Sequence, residues 1–400
     1  MASVVVALLF AIGLIGAVEV GLRLKYPEKL ALPTGTAVLE PDSNLIYTLR
    51  PGLTAEFIRS AENGGQTIIW HANAQGFRGN PLRAGHHRRI VVFGDSNIQG
   101  VFSTQENTFA ARLERQLSDA TGTDVEVVNA GVMGYGPDQS LLYMRRRLAE
   151  LKPDVVVFQV FADNDFGDLL RNRLFRDSAG TLVRHPSPFR YPRASRLARM
   201  QDFTASLLVV RATLKLIGVK PAQPPAARVP SDPAQYAQYL LRVSDHELAA
   251  YHAGCCDGKQ VDHYDLDVAS RPDQEPARTQ VTLMADVLAA AQDDAARSGT
   301  KFLVLIEPSA VDLTGNLTLG FRNLAGIPGY RPDRLTTIIR DICVQRGIPY
   351  VNLFAPFHEA GPDTLYFRRD DTHWNDAGQA LAARETAGPV LSLMTGAQGH

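Results

Sequence analysis

Five short apolar runs alternate with stretches of helical period, and this rhythm narrows the fold more than any other feature of the chain. The runs are Ile90–Phe93, Val125–Asn129, Val155–Val160, Phe302–Ile306 and Tyr350–Leu353. The helical stretches are Thr108–Leu117, Gln139–Leu151, Thr282–Ala296 and Pro332–Arg346. Strands that are apolar along their whole length need cover on both faces, and helices alternating with them supply it. The pattern predicts an α/β fold built on a parallel sheet. In such sheets ligands gather at the carboxyl ends of the strands.

The flanking regions read differently. Met1 through Val18 carries no charge, and Val20-Gly21-Leu22 carries the apolar stretch past Glu19. About 20 residues suffice to cross a bilayer as a helix. The start Met1-Ala2-Ser3 is not basic and no small-x-small cleavage site follows, so an uncleaved membrane anchor over residues 1–25 is expected rather than a signal peptide or a core helix. Arg23, Lys25 and Lys29 follow it, which by itself would keep the rest of the chain on the cytoplasmic side. Residues 26–85 form a Pro- and Gly-punctuated lead-in with extended pieces at Leu45–Leu49 and Thr67–Trp70, and residues 86–400 form the main domain. Within that domain, residues 166–278 break the rhythm. They hold Pro221–Pro225 and helical pieces at Ala205–Ile217 and Pro233–Ala250, and are expected as an insertion after the third strand. Such insertions form lids and substrate walls, or simply pack against an anchor or another subunit.

Composition excludes some functions. The net charge is −1, with no basic surplus to drive nucleic-acid binding. The run Arg145-Arg146-Arg147 is most simply a solvated helix face. Three cysteines, an odd number, argue against a fully paired disulfide framework. Cys255 and Cys256 lie with Asp257 between His252 and His263, a metal-like composition, but the spacing matches no zinc pattern and an ordinary loop is expected.

Three strand ends and a late histidine carry the candidate chemistry. Ser96 follows the first strand in Gly94-Asp95-Ser96, where a turn begins; a serine capping the next helix is the plainer alternative. Asn129–Gly134 follows the second strand, and its glycines Gly131 and Gly134 let the backbone approach a ligand. The Gly134 N–H is a candidate donor to a developing oxyanion. Asn164, after the third strand, offers a side-chain amide for the same purpose. Asp370-Asp371-Thr372-His373 precedes the helical stretch Ala377–Glu385. A histidine there can take a serine proton while a carboxylate holds its other nitrogen.

Together and in this order, the four stretches resemble the SGNH hydrolases, or GDSL-type esterases. The match falls on Ser96, Gly134, Asn164 and His373 with Asp370. Asn73–Gly79 looks like the lead-in of bacterial members with one N-terminal membrane helix. The resemblance covers roughly Asn73–Leu170 and Lys301–Ala383. Two departures stand out: Ala162 replaces the usual glycine of the third block, and Asp371-Thr372-His373-Trp374 resembles the alginate acetyltransferase-like branch, so Asp370 and Asp371 both remain candidates. The resemblance implies a three-layer α/β/α, flavodoxin-like fold with five parallel strands. It also implies ester hydrolysis or acyl transfer with neither metal nor organic cofactor. The implied catalytic groups are Ser96, His373 and Asp370 or Asp371, with an oxyanion hole of Ser96, Gly134 and Asn164. The expected substrate is a small-molecule or carbohydrate ester, handled outside the cytoplasmic membrane. Alternatives are a polysaccharide O-acetyltransferase with the same triad, and a non-catalytic, membrane-tethered carbohydrate-binding or assembly subunit.

Overall fold

A computed structural model describes residues 2–25, 38–85, 88–190, 209, 213, 216, 232–255, 263–314, 324–368 and 372–396. In chain order, helix α1 (Ala2–Lys25) is followed by two antiparallel hairpins, β1 (Leu39–Asp42) with β2 (Ile46–Leu49) and β3 (Thr54–Ile58) with β4 (Thr67–His71). Next come β5 (Arg88–Gly94), α2 (Ser96–Gln99), α3 (Phe109–Thr121), β6 (Val125–Gly131), α4 (Pro137–Leu151) and β7 (Val155–Ala162). The region after the third sheet strand holds α5 (Asp165–Asn172), the hairpin β8 (Phe175–Asp177) and β9 (Leu182–Arg184), α6 (Pro233–Ala253), α7 (Leu266–Ser270) and α8 (Ala277–Arg297). The chain then returns through β10 (Lys301–Pro308), α9 (Ala310–Leu313), α10 (Arg334–Arg346), β11 (Tyr350–Asn352), α11 (Phe354–Glu359) and α12 (Asp376–Thr395).

The five apolar runs become one five-stranded sheet in the order β11-β10-β7-β5-β6, every pairing parallel. Numbered along the chain this is 5-4-3-1-2, the flavodoxin-like order, whose switch point lies between the first and third strands. Side-chain alternation divides the strands between two cores. Ile90, Val92, Val155, Val157, Leu303 and Leu305 face one core with Phe109 and Leu113 of α3 and Leu381 of α12. Val91, Phe93, Val156, Phe158, Val304 and Ile306 face the other with Met144 of α4, Leu288 of α8 and Ile339 of α10. The lead-in belongs to this second core through Leu45, Ile68, Trp70 and Phe77.

One sequence expectation needs correction. Arg145–Arg147 is not an idle solvated face. Arg145 pairs with Asp294 of α8, Arg146 grips Asp42 of β1 with two bonds of 2.9 Å, and Arg147 donates to the Gln75 carbonyl. Partial burial pushes the Asp42 carboxyl up, but the Arg146 bonds and the N–H groups of Leu45 and Asn44 outweigh it and hold Asp42 at about 2. The anchor expected over residues 1–25 coincides with α1. Its exposed side chains include Phe10 at 75% and Leu24 at 79%, whereas Glu19 is buried and accepts the Val209 N–H at 2.9 Å. Among the described residues no helix is long and apolar enough to cross a membrane. The structure therefore has a helix at the expected place without establishing a span. The helical reading of Ala205–Ile217 and the cysteine-loop residues Cys256 and Asp257 fall largely or wholly outside the described residues.

The sheet brings β6 so close to α2 that position 131 has no room for a side chain. A Cβ on Gly131 would collide with the Gln99 nitrogen and come within 2.8 Å of the Ile98 carbonyl carbon. Gly131→Ala is expected to lower stability by about 1–3 kcal/mol through overpacking. The measurement is the urea midpoint, which should fall at unchanged slope; an unmoved midpoint would show that the β6–α2 packing relaxes freely.

Candidate active site

Ser96 lies at the switch point, on the first turn after β5, with β6 and β7 hydrogen-bonded to either side of that strand. The turn is sharp because Gly94 allows it: a Cβ there would strike the Gln159 side chain and the Ile98 Cγ1. Asp95 caps α2 by accepting the Asn97 N–H at 2.8 Å. Ser96 is therefore not the cap, as the plainer reading had it, but the first helical residue, only partly buried.

Its hydroxyl meets the late histidine. His373 Nε2 lies 2.7 Å from Ser96 Oγ, across 277 positions of sequence. The contact is built by the residue after the serine. Asn97 Oδ1 accepts the Trp374 N–H at 2.9 Å, and the Asn97 carbonyl accepts Gln379 Nε2 of α12 at 2.8 Å. Gln379 Oε1 in turn accepts the Phe109 N–H at 2.6 Å, so α2, α3 and the histidine loop share one buried set of bonds. Phe102 sets its ring edge against the imidazole at 5.3 Å. Asp370 and Asp371 lie outside the described residues.

The other two expected residues flank this pair on the neighbouring strands. Gly134 follows β6 at φ +70°, and its carbonyl accepts the Tyr47 hydroxyl at 2.6 Å; a Cβ would come within 2.7 Å of that hydroxyl. The adjacent Met133 N–H is held by Gln99 Oε1 at 2.7 Å. Asn164 follows β7 and begins α5, and its carbonyl accepts from Arg171 at 2.9 Å. Arg171 also pairs with Asp168 at 2.8 Å and with Glu247 of α6 at 3.3 Å, which ties the insertion to the Asn164 turn. His263 pairs with Glu247 at 3.2 Å, and among the described residues no group of three metal-ligating side chains could hold an ion.

Several supporting groups escaped the sequence reading. Arg78 is buried and donates to the carbonyls of Gln99, Gly100 and Ser103, neutralising the C-terminal end of α2 and the turn after it. Burial pulls its guanidinium down to about 9, which leaves it charged at neutral pH. Behind the turn, Gln159 Oε1 accepts the Asp95 N–H at 3.0 Å while Gln159 Nε2 donates to Glu307 at 2.8 Å. Burial first, and the Asp95 charge second, push the Glu307 carboxyl well above its ordinary range; Asp165, the first residue of α5, is raised for the same two reasons. Both shifts favour the protonated acids. A buried glutamine in the third apolar run and a glutamate ending the fourth were the available signals.

Residues 92–286 match the GDSL-like lipase/acylhydrolase family, and residues 267–399 match the SGNH hydrolase-like domain of the acetyltransferase AlgX. Between them the GDSL and SGNH hydrolase models match residues 92–399. The first match contains Ser96, Gly134 and Asn164 and the second contains Asp370, Asp371 and His373. Similar solved structures include TesA, at 16% identity over 76% of this chain and 99% of that one, with a TM-score of 0.37. The lipase/acylhydrolase from Enterococcus faecalis is 12% identical over 76% and 96%, with a TM-score of 0.38. Axe2, an acetylxylan esterase from Geobacillus stearothermophilus, is 12% identical over 77% and 96%, also with a TM-score of 0.38. No curated protein matches the chain in sequence.

The upward shift of Glu307 has a measurable consequence. Its ordinary value is 4.5. The folded value is higher, so the stability it contributes is complete below the unfolded value and is lost as pH rises toward the folded one. Glu307→Gln keeps an acceptor for Gln159 and has no proton to lose. The melting temperature of the variant minus that of the parent is expected to grow as pH rises above the ordinary value of 4.5. A difference that stays flat above that value would mean Glu307 is ionised in the folded protein.

Proposed function

We propose that the chain is a serine esterase or acyl hydrolase that removes an acetyl or other short acyl group from a carbohydrate or cell-envelope ester. The observation that carries this reading is the 2.7 Å contact between Ser96 Oγ and His373 Nε2 at the switch point of the sheet. At that distance the hydroxyl proton passes to Nε2 as Oγ attacks the ester carbonyl, provided Nε2 starts unprotonated and Nδ1 carries the other proton. Asp370 or Asp371 holds the Nδ1 proton and stabilises the imidazolium. The oxyanion is met by the Ser96 and Gly134 N–H groups and the Asn164 amide, each such donor typically worth about 3–4 kcal/mol in the transition state. His373 returns its proton to the leaving alkoxide, and water, activated by the same histidine, releases the acyl group from Ser96.

A second reading has one specific support. The C-terminal match is to the SGNH hydrolase-like domain of an acetyltransferase and contains the run Asp371-Thr372-His373-Trp374. In that case a polysaccharide hydroxyl replaces water in the second half of the reaction, and the chemistry at Ser96 is unchanged. The apposed serine and histidine argue against a non-catalytic binding subunit. Attachment to the cytoplasmic membrane through α1, with the catalytic domain on the outer side, completes the proposal; the exposed apolar side chains of α1 support it.

The full-length protein is expected to release p-nitrophenol from p-nitrophenyl acetate. Ser96→Ala and His373→Ala should each lower kcat by about three orders of magnitude or more. Of Asp370→Ala and Asp371→Ala, the one that removes the orienting carboxylate should cost about 10⁴-fold and the other far less. A folded parent no faster than its Ser96→Ala variant would exclude the free-standing esterase.

A further inference from the structure

The loop that carries His373 is gripped from outside the family-matched part of the chain. The hairpin β3–β4 lies ahead of residue 92, where the first family match begins. The segment connecting its strands holds Asn63, whose side chain copies a peptide group. Asn63 Oδ1 accepts the Arg368 N–H at 2.8 Å and Asn63 Nδ2 donates to the Arg368 carbonyl at 3.0 Å. Asn63 is itself set by Ser60, whose carbonyl accepts its N–H and whose hydroxyl accepts from Nδ2, both at 2.9 Å.

One strand end away, Arg59 takes the far side of the same loop. Its NH2 group lies 2.8 Å from Asp376 Oδ1, its Nε donates to the Phe102 carbonyl at 2.7 Å, and its guanidinium covers the Phe367 ring at 5.1 Å. Ser103 adds a bond to the same Asp376 oxygen at 3.0 Å. Arg368 and Asp376 bracket His373 in sequence. The hairpin therefore pins the loop on both sides of the imidazole, and through Phe102 it also backs the ring that touches His373. Such a pair of tethers restrains the ring without touching a reacting atom.

We propose that Asn63 and Arg59 are positioning residues that hold His373 Nε2 in line with Ser96 Oγ, so that the lead-in hairpin is a working part of the active site. This rests on the serine–histidine reading of the site. A shift of about 1 Å in a general base can cost on the order of 10²-fold in rate. The tether at Asn63 is partly exposed and makes no core contact, so its removal is expected to show in kcat and not in folding.

The test is ester hydrolysis by the full-length protein and its Asn63→Ala, Asn63→Asp, Arg59→Gln and Ser96→Ala variants, with melting temperatures alongside. Asn63→Ala is expected to lower kcat by about 10- to 100-fold, with KM within about twofold and an unchanged melting temperature. Asn63→Asp, which keeps the acceptor and loses the donor, should fall between parent and alanine variant. Arg59→Gln should reproduce the kcat loss. If Asn63→Ala keeps the parent's kcat, or loses rate only in step with folded fraction, or raises KM alone, the hairpin does not position the base. Activity surviving Ser96→Ala would instead overturn the serine–histidine reading, and this inference with it.

Discussion

Asn97 decides how far the serine stands from the histidine. Its side chain and carbonyl hold Trp374 and Gln379 on either side of the loop that enters α12, one residue away from Ser96 on the other partner. Because Asn97 is buried and sits on a four-residue helix capped by Asp95, a displacement of α2 carries nucleophile and base together. A contact between residues so distant in sequence is costly in chain entropy, and the sheet meets most of that cost before the loop closes. The parallel order places β5 beside both β6 and β7, and buried side chains fill both faces. The local hydrogen bonds then only select a geometry.

Charge is managed around the same point. Arg78 brings a buried cation to the end of α2, where it donates to the carbonyls of Gln99, Gly100 and Ser103. Burial and the charge of Asp95 push the Glu307 and Asp165 carboxyls well above their ordinary range. A buried cation with three acceptors and two acids shifted toward their neutral forms limit the negative charge around the Ser96 turn. The lead-in is part of this arrangement, since it supplies Arg78, the Tyr47 hydroxyl on Gly134 and the clasp on the histidine loop.

The sheet was legible because its strands are buried on both faces and read as unbroken apolar runs; β5, β6, β7, β10 and β11 coincide with the five runs to within a few residues at each end. Ser96 and His373 were legible because a turn after a buried strand and a histidine before a helix leave few chemical roles. The supporting groups were not. Asn63, Asn97 and Gln159 act through bonds to backbone far away in sequence, and nothing local distinguishes an amide that holds a remote peptide from one that faces water. Arg78 lay in a segment already marked by resemblance, yet its burial against three carbonyls follows from packing alone. Arg145–Arg147 misled for the converse reason: a charge run looks solvated until its partners on other elements are known.

The central claim is that Ser96 is made nucleophilic by His373. The direct measurement is covalent capture by a fluorophosphonate, with the modified peptide identified by mass spectrometry. The account predicts stoichiometric addition to Ser96 in the parent and none in His373→Ala, which keeps the hydroxyl and loses the base. Labelling elsewhere, or labelling of Ser96 at an undiminished rate without His373, would contradict it.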